Sequence, residues 1–151
     1  MIRDLEAAIG YTFRDISLLQ NALTHSSYAN ERWRNSLASN ELLEFLGDSV
    51  LGMITAEHLY RIFPHRPEGE LTKVRADLVC ETTLARVARS IRLGDHLLLG
   101  HGEEQGGGRQ RASILADAME SVIAAVYLDG GFQAAKSLIH RFILSDIPAE
   151  K

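Results

Sequence analysis

In the run NELLEFLGDSVLG, from Asn40 to Gly52, the acids Glu41, Glu44 and Asp48 interrupt residues that are otherwise almost entirely apolar. Wound as an α-helix of about 3.6 residues per turn, offsets of three and seven from Glu41 put all three carboxylates on one face. The apolar surroundings predict that this face lies inside the core, where uncompensated carboxylates are costly. A divalent cation removes that cost, because it draws carboxylates together and cancels their repulsion.

A second helical pattern, SILADAMESVIAAVYL from Ser113 to Leu128, repeats the oddity. Asp117 and Glu120 stand three residues apart on one face, among Ile114, Leu115, Ala116, Ala118, Met119, Val122 and Ile123. Two helices that each turn carboxylates inward are a recurring way to build a metal site in a helical bundle. If the faces meet, Glu44, Asp48, Asp117 and Glu120 supply hard oxygen ligands suited to Mg²⁺ or Mn²⁺. Zinc fits poorly, since there is a single cysteine and no histidine lies three or four residues from a second histidine or that cysteine. Any one of these acids alone reads as solvated surface. Taken together they read as metal binding or catalysis, with paired or rim-exposed charges as the competing account.

The elements that must position these acids are helical throughout. Short amphipathic helices are predicted over Asp4 to Ile9 and over Asp15 to Leu23, the second capped by Asp15. The stretch from Thr24 to Asn40 is too rich in Ser and Asn for one continuous helix. The long acid-bearing helix should start at Ser39 or Asn40 and run to Ile62, stopped by Pro64, Pro67 and Gly69. Its Gly47 and Gly52 cost helix propensity and suggest close approach of another backbone, or room for a ligand. A second long helix is predicted from Glu70 to Leu93, with Cys80 packed inside it. The glycine-rich segment from Leu99 to Arg111 reads as a mobile surface loop. A last helix covers Phe132 to Leu144, and the tail SDIPAEK reads as frayed.

At 151 residues, with 46% hydrophobic and 24% charged content, the chain suits one folded domain. No run reaches the roughly 18 apolar residues of a membrane span, and no signal peptide precedes the first helix, so a cytoplasmic, reducing setting is expected. The net charge of −4 weighs mildly against a nucleic-acid partner. Bound Mg²⁺ would offset the local excess of acid. Histidines 25, 58, 65, 96, 101 and 140 are dispersed and read as surface or locally hydrogen-bonded, and Trp33 as a partly buried anchor that could otherwise stack on a base.

NELLEFLGDSVL resembles the ribonuclease III signature NERLEFLGDSVL, with Leu42 where many members carry Arg. GRQRASILADAMESVIAAVYLDGG resembles that family's later catalytic segment, and LTHSSYANE, from Leu23 to Glu31, its early LTHxSYxNE phrase. Three separated motifs in order and at family spacing are far more specific than one short pattern.

The resemblance implies an all-α, single-domain endonuclease over residues 1–147, with two long helices carrying the acidic site and residues 148–151 beginning a linker. It implies hydrolysis of double-stranded RNA, in the processing of ribosomal and other transcripts, leaving 5′-phosphate and 3′-hydroxyl ends. Mg²⁺ would be the cofactor, with Mn²⁺ able to substitute. The enzyme would be a homodimer without membrane attachment. Carried over by motif position, Glu44, Asp117 and Glu120 hold metal, and Asp48 and Glu120 are the catalytic residues. Glu41 and Glu68 support the site, and Phe45 contacts the partner subunit. Arg109 and Arg111, with Lys73 and Arg75, are candidates for RNA phosphates. Bacterial members usually continue into a basic RNA-binding domain that nothing after Ile147 resembles, so a truncated chain is expected. A non-catalytic relative would lack some of the carboxylates, all of which are present. A di-iron bundle oxidase would need Glu-x-x-His pairs, and no Glu here has a His three residues later.

Overall fold

The computed structural model describes residues 1–145 and 147; the proposed linker at 148–151 lies outside the described residues. Helices run α1 (Ile2–Ile9), α2 (Ile16–Ala22), α3 (Ser26–Trp33), α4 (Glu41–Ile62), α5 (Glu68–Leu78), α6 (Glu81–Ser90), α7 (His101–Gln105), α8 (Ala112–Gly130) and α9 (Phe132–Ile139), the last running into a π-helical turn at His140–Leu144. Short 3₁₀ turns occupy Ser36–Ala38, Leu93–His96 and Gly108–Gln110. Among the described residues there is no strand, only an isolated bridge between Thr24 and Leu98.

The helix α8 is the axis of the fold. Its residues from Ile114 to Val126 are buried apart from Asp117, as expected of a helix that is apolar nearly all round. Around it pack α4, α6, α9 and α2, with the α4 and α6 contacts the most extensive. The close fit to α4 depends on Gly47, where a Cβ would overlap the Glu120 carbonyl. Gly52 meets nothing, so only one of the two glycines answers to close approach. Asp15 caps α2 as expected, accepting a 3.0 Å hydrogen bond from the Ser17 N–H.

Several expectations need correction. The helix predicted over Glu70 to Leu93 is two helices, broken at Val79 and Cys80. The apolar rungs Leu71, Val74 and Leu78 would continue at 81 or 82, which are Glu and Thr, and the next rung falls at Leu84. The Cys80 thiol and the Thr83 hydroxyl donate to the Asp77 carbonyl at 3.4 and 3.2 Å, an alternative to continuing the helical ladder. Cys80 is therefore exposed rather than packed. Trp33 is 53% exposed, its ring edge-on to Tyr28. His58 and His140 stack edge-to-face at 4.6 Å, half-buried between α4 and the end of α9.

The predicted loop from Leu99 to Arg111 is built as α7 and a 3₁₀ turn. Arg109 holds it down, donating to Gly94 O at 2.7 Å, Leu97 O at 2.8 Å and the Glu104 carboxylate at 2.6 Å. Arg111 pairs with Glu103 and donates to Gly106 O. Both guanidiniums have internal partners, and the Arg111 side chain stays about half exposed.

The Thr55 hydroxyl is fully buried on α4 and has no hydrogen-bond partner among the described residues. Thr55→Val, nearly equal in shape, should stabilise the fold by about 1 kcal/mol, read as a higher urea midpoint with an unchanged slope. A lower midpoint would mean the hydroxyl is satisfied after all.

Candidate metal centre

The acids of α4 do not sit in the core. Leu43, Gly47, Val50, Leu51 and Ile54 form the buried stripe of α4, and the carboxylates flank it: Glu41 and Asp48 are exposed and Glu44 is half-buried. The apolar residues that suggested burial divide between two faces, since Leu42, Phe45, Met53 and Tyr60 point outward. On α8, Asp117 is exposed and Glu120 is buried, at 8% exposure.

Across the α4–α8 groove, carboxylate oxygens of Glu44, Asp117 and Glu120 all lie within 4.8 Å of one another. Burial is the foremost cause pushing the Glu120 carboxyl up to about 8, followed by a hydrogen bond with Asp48 and the charges of Asp48, Glu44 and Asp117. Glu44 is raised by burial and then by Asp117, Asp48 and Glu41. Asp117 is raised by burial and then by Glu81, with His25 acting the other way. An all-oxygen donor set that resists carrying its own charge fits a divalent cation, which compensates that charge and matches the ligand chemistry.

The family profile described as Ribonuclease-III-like matches residues 15–147. The chain belongs to the ribonuclease-III-like family. Curated proteins named Ribonuclease 3 from Caldanaerobacter subterraneus subsp. tengcongensis and Symbiobacterium thermophilum are each 55% identical to it, over 139 and 140 residues. Those alignments cover 92% and 93% of this chain but 60% and 57% of the relatives, so the chain spans somewhat over half their length. The nuclease domain of ribonuclease III from Campylobacter jejuni matches with a TM-score of 0.90 at 42% identity, covering 98% of this chain and 99% of that one. That structure is described as flexible in a region involved in dimer formation. A Dicer from Giardia, at 24% identity and a TM-score of 0.72, shares the fold.

Within this ribonuclease-III-like chain the early LTHSSYANE phrase is a brace beside the acids. His25 Nδ1 accepts from the Ser27 N–H at 3.1 Å and so caps α3. The Ser27 hydroxyl accepts from Gly100 N at 2.8 Å, and Glu31 accepts from His101 N at 2.6 Å, which anchors the start of α7. Glu68 stands apart from the cluster. Its carboxylate accepts from the Thr72 hydroxyl at 2.8 Å and lines a cleft of about 200 Å³ with Tyr60 and Arg75. Tyr60 is sixteen residues beyond Glu44 on α4, a rise of about 24 Å.

Glu81 escaped the sequence reading, although its charge reaches Asp117. A single Glu within a helix carries no signal of its own, being most often solvated surface. The phase slip between Leu78 and Leu84 was the available signal that a new helix begins there and turns Glu81 toward α8.

These shifts give a pH dependence with a definite sign. Glu120 in the fold holds its proton to about pH 8, whereas its ordinary value is 4.5. Over that window the folded chain keeps a proton that the unfolded chain has lost, so the group's contribution to stability falls as pH rises. Glu44 and Asp117 act in the same direction. Without metal, the melting temperature of the wild type relative to Glu120→Gln should fall between about pH 5 and about pH 8. Adding Mg²⁺ at the upper end should reverse the loss in the wild type. A difference that stays flat with pH would contradict this arrangement.

Proposed function

We propose that the chain is the catalytic part of a Mg²⁺-dependent endonuclease that cuts double-stranded RNA, leaving 5′-phosphate and 3′-hydroxyl ends. The observation that carries this reading is the meeting of Glu44, Asp117 and Glu120 with Asp48 on the rim, in a chain of this family. Rather than being mutually neutralised by arginines, these carboxylates face one another across an open groove, which suits a cation and a phosphate more than a structural ion pair.

Glu44, Asp117 and Glu120 would hold the cation. When bound, a divalent cation offsets charge on a pentacovalent phosphate and lets a water lose its proton near neutral pH. Asp48, exposed beside Glu120, would accept a hydrogen of the attacking water and orient its oxygen toward phosphorus. Attack there breaks the bond from phosphorus to the 3′ oxygen, and that oxygen leaves as the 3′-hydroxyl after taking up a proton. Glu41, whose charge reaches Glu44, would support the same site from the first turn of α4. Mn²⁺ shares the oxygen preference and would substitute. Arg109 and Arg111, with Lys73 and Arg75 on α5, are the candidates for phosphate contact. Ribosomal and messenger precursors with long duplexes are the substrate class, in the cytoplasm, where the exposed Cys80 thiol stays reduced.

The second component is a homodimer. Leu42, Phe45, Met53 and Tyr60 line the outer side of α4, with Phe45 at 75% and Tyr60 at 76% exposure. The neighbouring α5 buries no residue, although it carries Leu71, Val74 and Leu78. Apolar surface of this extent on two adjacent helices suits a second copy of the chain. Glu68, far from the acids of its own chain, would then support a site only across the interface. Two acid sites in one assembly would cut both strands of an A-form duplex.

Incubation of a long RNA duplex with Mg²⁺ should yield 5′-phosphorylated fragments. Asp48→Asn and Glu120→Gln should each lose at least about a hundredfold in rate, and rates equal to wild type would sink those assignments. In sedimentation, the wild type should run as a dimer at micromolar concentration and Phe45→Asp as a monomer. A monomeric wild type would overturn the dimer.

A further inference from the structure

We propose that Asn40, aided by Asn21, is a positioning residue that sets the acid-bearing turn of α4 against α8 and so determines how well the cluster holds its cation. This inference rests on the metal reading of the cluster and concerns side chains that touch neither metal nor substrate.

Asn40 occupies the position where an asparagine ordinarily caps a helix, yet it makes no side-chain cap. Its side chain is spent on a tertiary bond instead. Nδ2 donates to the Ala22 carbonyl at 3.0 Å, and the backbone N–H donates to the Thr24 carbonyl at 2.8 Å. Asn21 returns the arrangement, its Nδ2 donating to Ala38 O and Ser39 O at 3.0 and 3.1 Å. The end of α2 and the approach to α4 are thus stitched together in both directions. Asn40 is buried, so its two donors have no water to fall back on.

One carbonyl links this stitch to Glu44 and, through Ser121, to the turn of α8 that carries Asp117 and Glu120. Asn40 O accepts from the Glu44 N–H at 2.8 Å and from the Ser121 hydroxyl at 3.1 Å. Ser121 follows Glu120 directly, and its hydroxyl also lies 2.9 Å from the Asp117 carbonyl. The Gly47–Glu120 contact fixes the two helices two turns further along. The apolar stripe from Leu43 to Ile54 holds the body of α4 against α8, which leaves its first turn, the one that carries Glu44, as the part that like charges in the groove favour moving outward. The bond from Asn40 to Ala22 and the carbonyl shared with Ser121 stop that movement at the open end. Groups that orient ligands from behind typically change metal affinity by about 10–100-fold.

The test uses Asn40→Ala, Asn21→Ala and, as a control of comparable destabilisation, Leu138→Ala in the core contact of α9. Mg²⁺ affinity is measured by calorimetry without RNA, well below each melting temperature. Both asparagine variants should bind Mg²⁺ about tenfold more weakly and need correspondingly more Mg²⁺ for half-maximal cleavage, with the rate recovering at saturation. Leu138→Ala should lower the melting temperature and leave Mg²⁺ affinity unchanged. Wild-type affinity in the asparagine variants, or an equal loss in Leu138→Ala, would overturn the proposal. If Asn40→Ala does not fold, Asn21→Ala decides the question, because its side chain is only half-buried.

A wild-type chain that binds no Mg²⁺ would overturn the metal reading rather than the clamp. Amide exchange then judges the clamp alone: Asn21→Ala should speed exchange at the Glu44 amide and not at the centre of α8. Unchanged exchange at Glu44 would refute it.

Discussion

Two helix backbones approach as closely as α4 and α8 do only where one of them lacks a Cβ, and Gly47 against the Glu120 carbonyl is that place. The contact lies within one turn of Glu44 on one side and directly beneath Glu120 on the other. Carboxyl groups on two separate helices can then share a groove without long side chains reaching across it. Helix propensity is sacrificed at Gly47, at a cost of about 1 kcal/mol relative to alanine. Buried apolar contact along α8, from Ile114 to Val126, outweighs that loss many times over.

The same proximity creates an electrostatic problem that the apolar core cannot solve. Burial and three neighbouring acids lift Glu120 to about 8, so the cluster near neutral pH prefers to keep a proton or accept a cation. Ordinary surface acids in this chain show the contrast. Glu104 is held below its usual range by Arg109, and Glu57 by Lys136 and Arg61. Glu104 and Glu57 are given basic partners, whereas the cluster is given more acid. The net charge of −4, which weighed against a nucleic-acid partner, therefore includes charge that a bound cation would balance.

Helical content, the ends of α4 and the pairing of two acid-bearing helices were legible because each is a local or periodic signal. The acids were read as core for a reason that is also periodic: α4 is apolar on two stripes, and sequence cannot say which stripe meets the rest of its own chain. Arg109 shows a different failure. A glycine-rich segment with two arginines looks mobile and basic, but the carbonyls of Gly94 and Leu97 that capture Arg109 are distant in pattern and carry no side-chain signature. Asn40 was recognised as a helix start, and its tertiary bond to Ala22 O was invisible for the same reason. Backbone acceptors are present at every residue, so only the fold selects among them.

The second stripe of α4 follows from what one helix can do. With Leu43, Val50 and Ile54 turned to α8, the residues Leu42, Phe45 and Met53 necessarily face elsewhere. A polar outer face would make the single chain self-sufficient and cost the core nothing. Keeping it apolar, beside an α5 that buries no residue of its own, makes sense if another chain closes over both. In the proposed dimer, α4 would carry its acids between two packed faces, one internal and one shared. The groove would then be held by the fold on one side and by assembly on the other, tying the state of the metal centre to the association of the two chains.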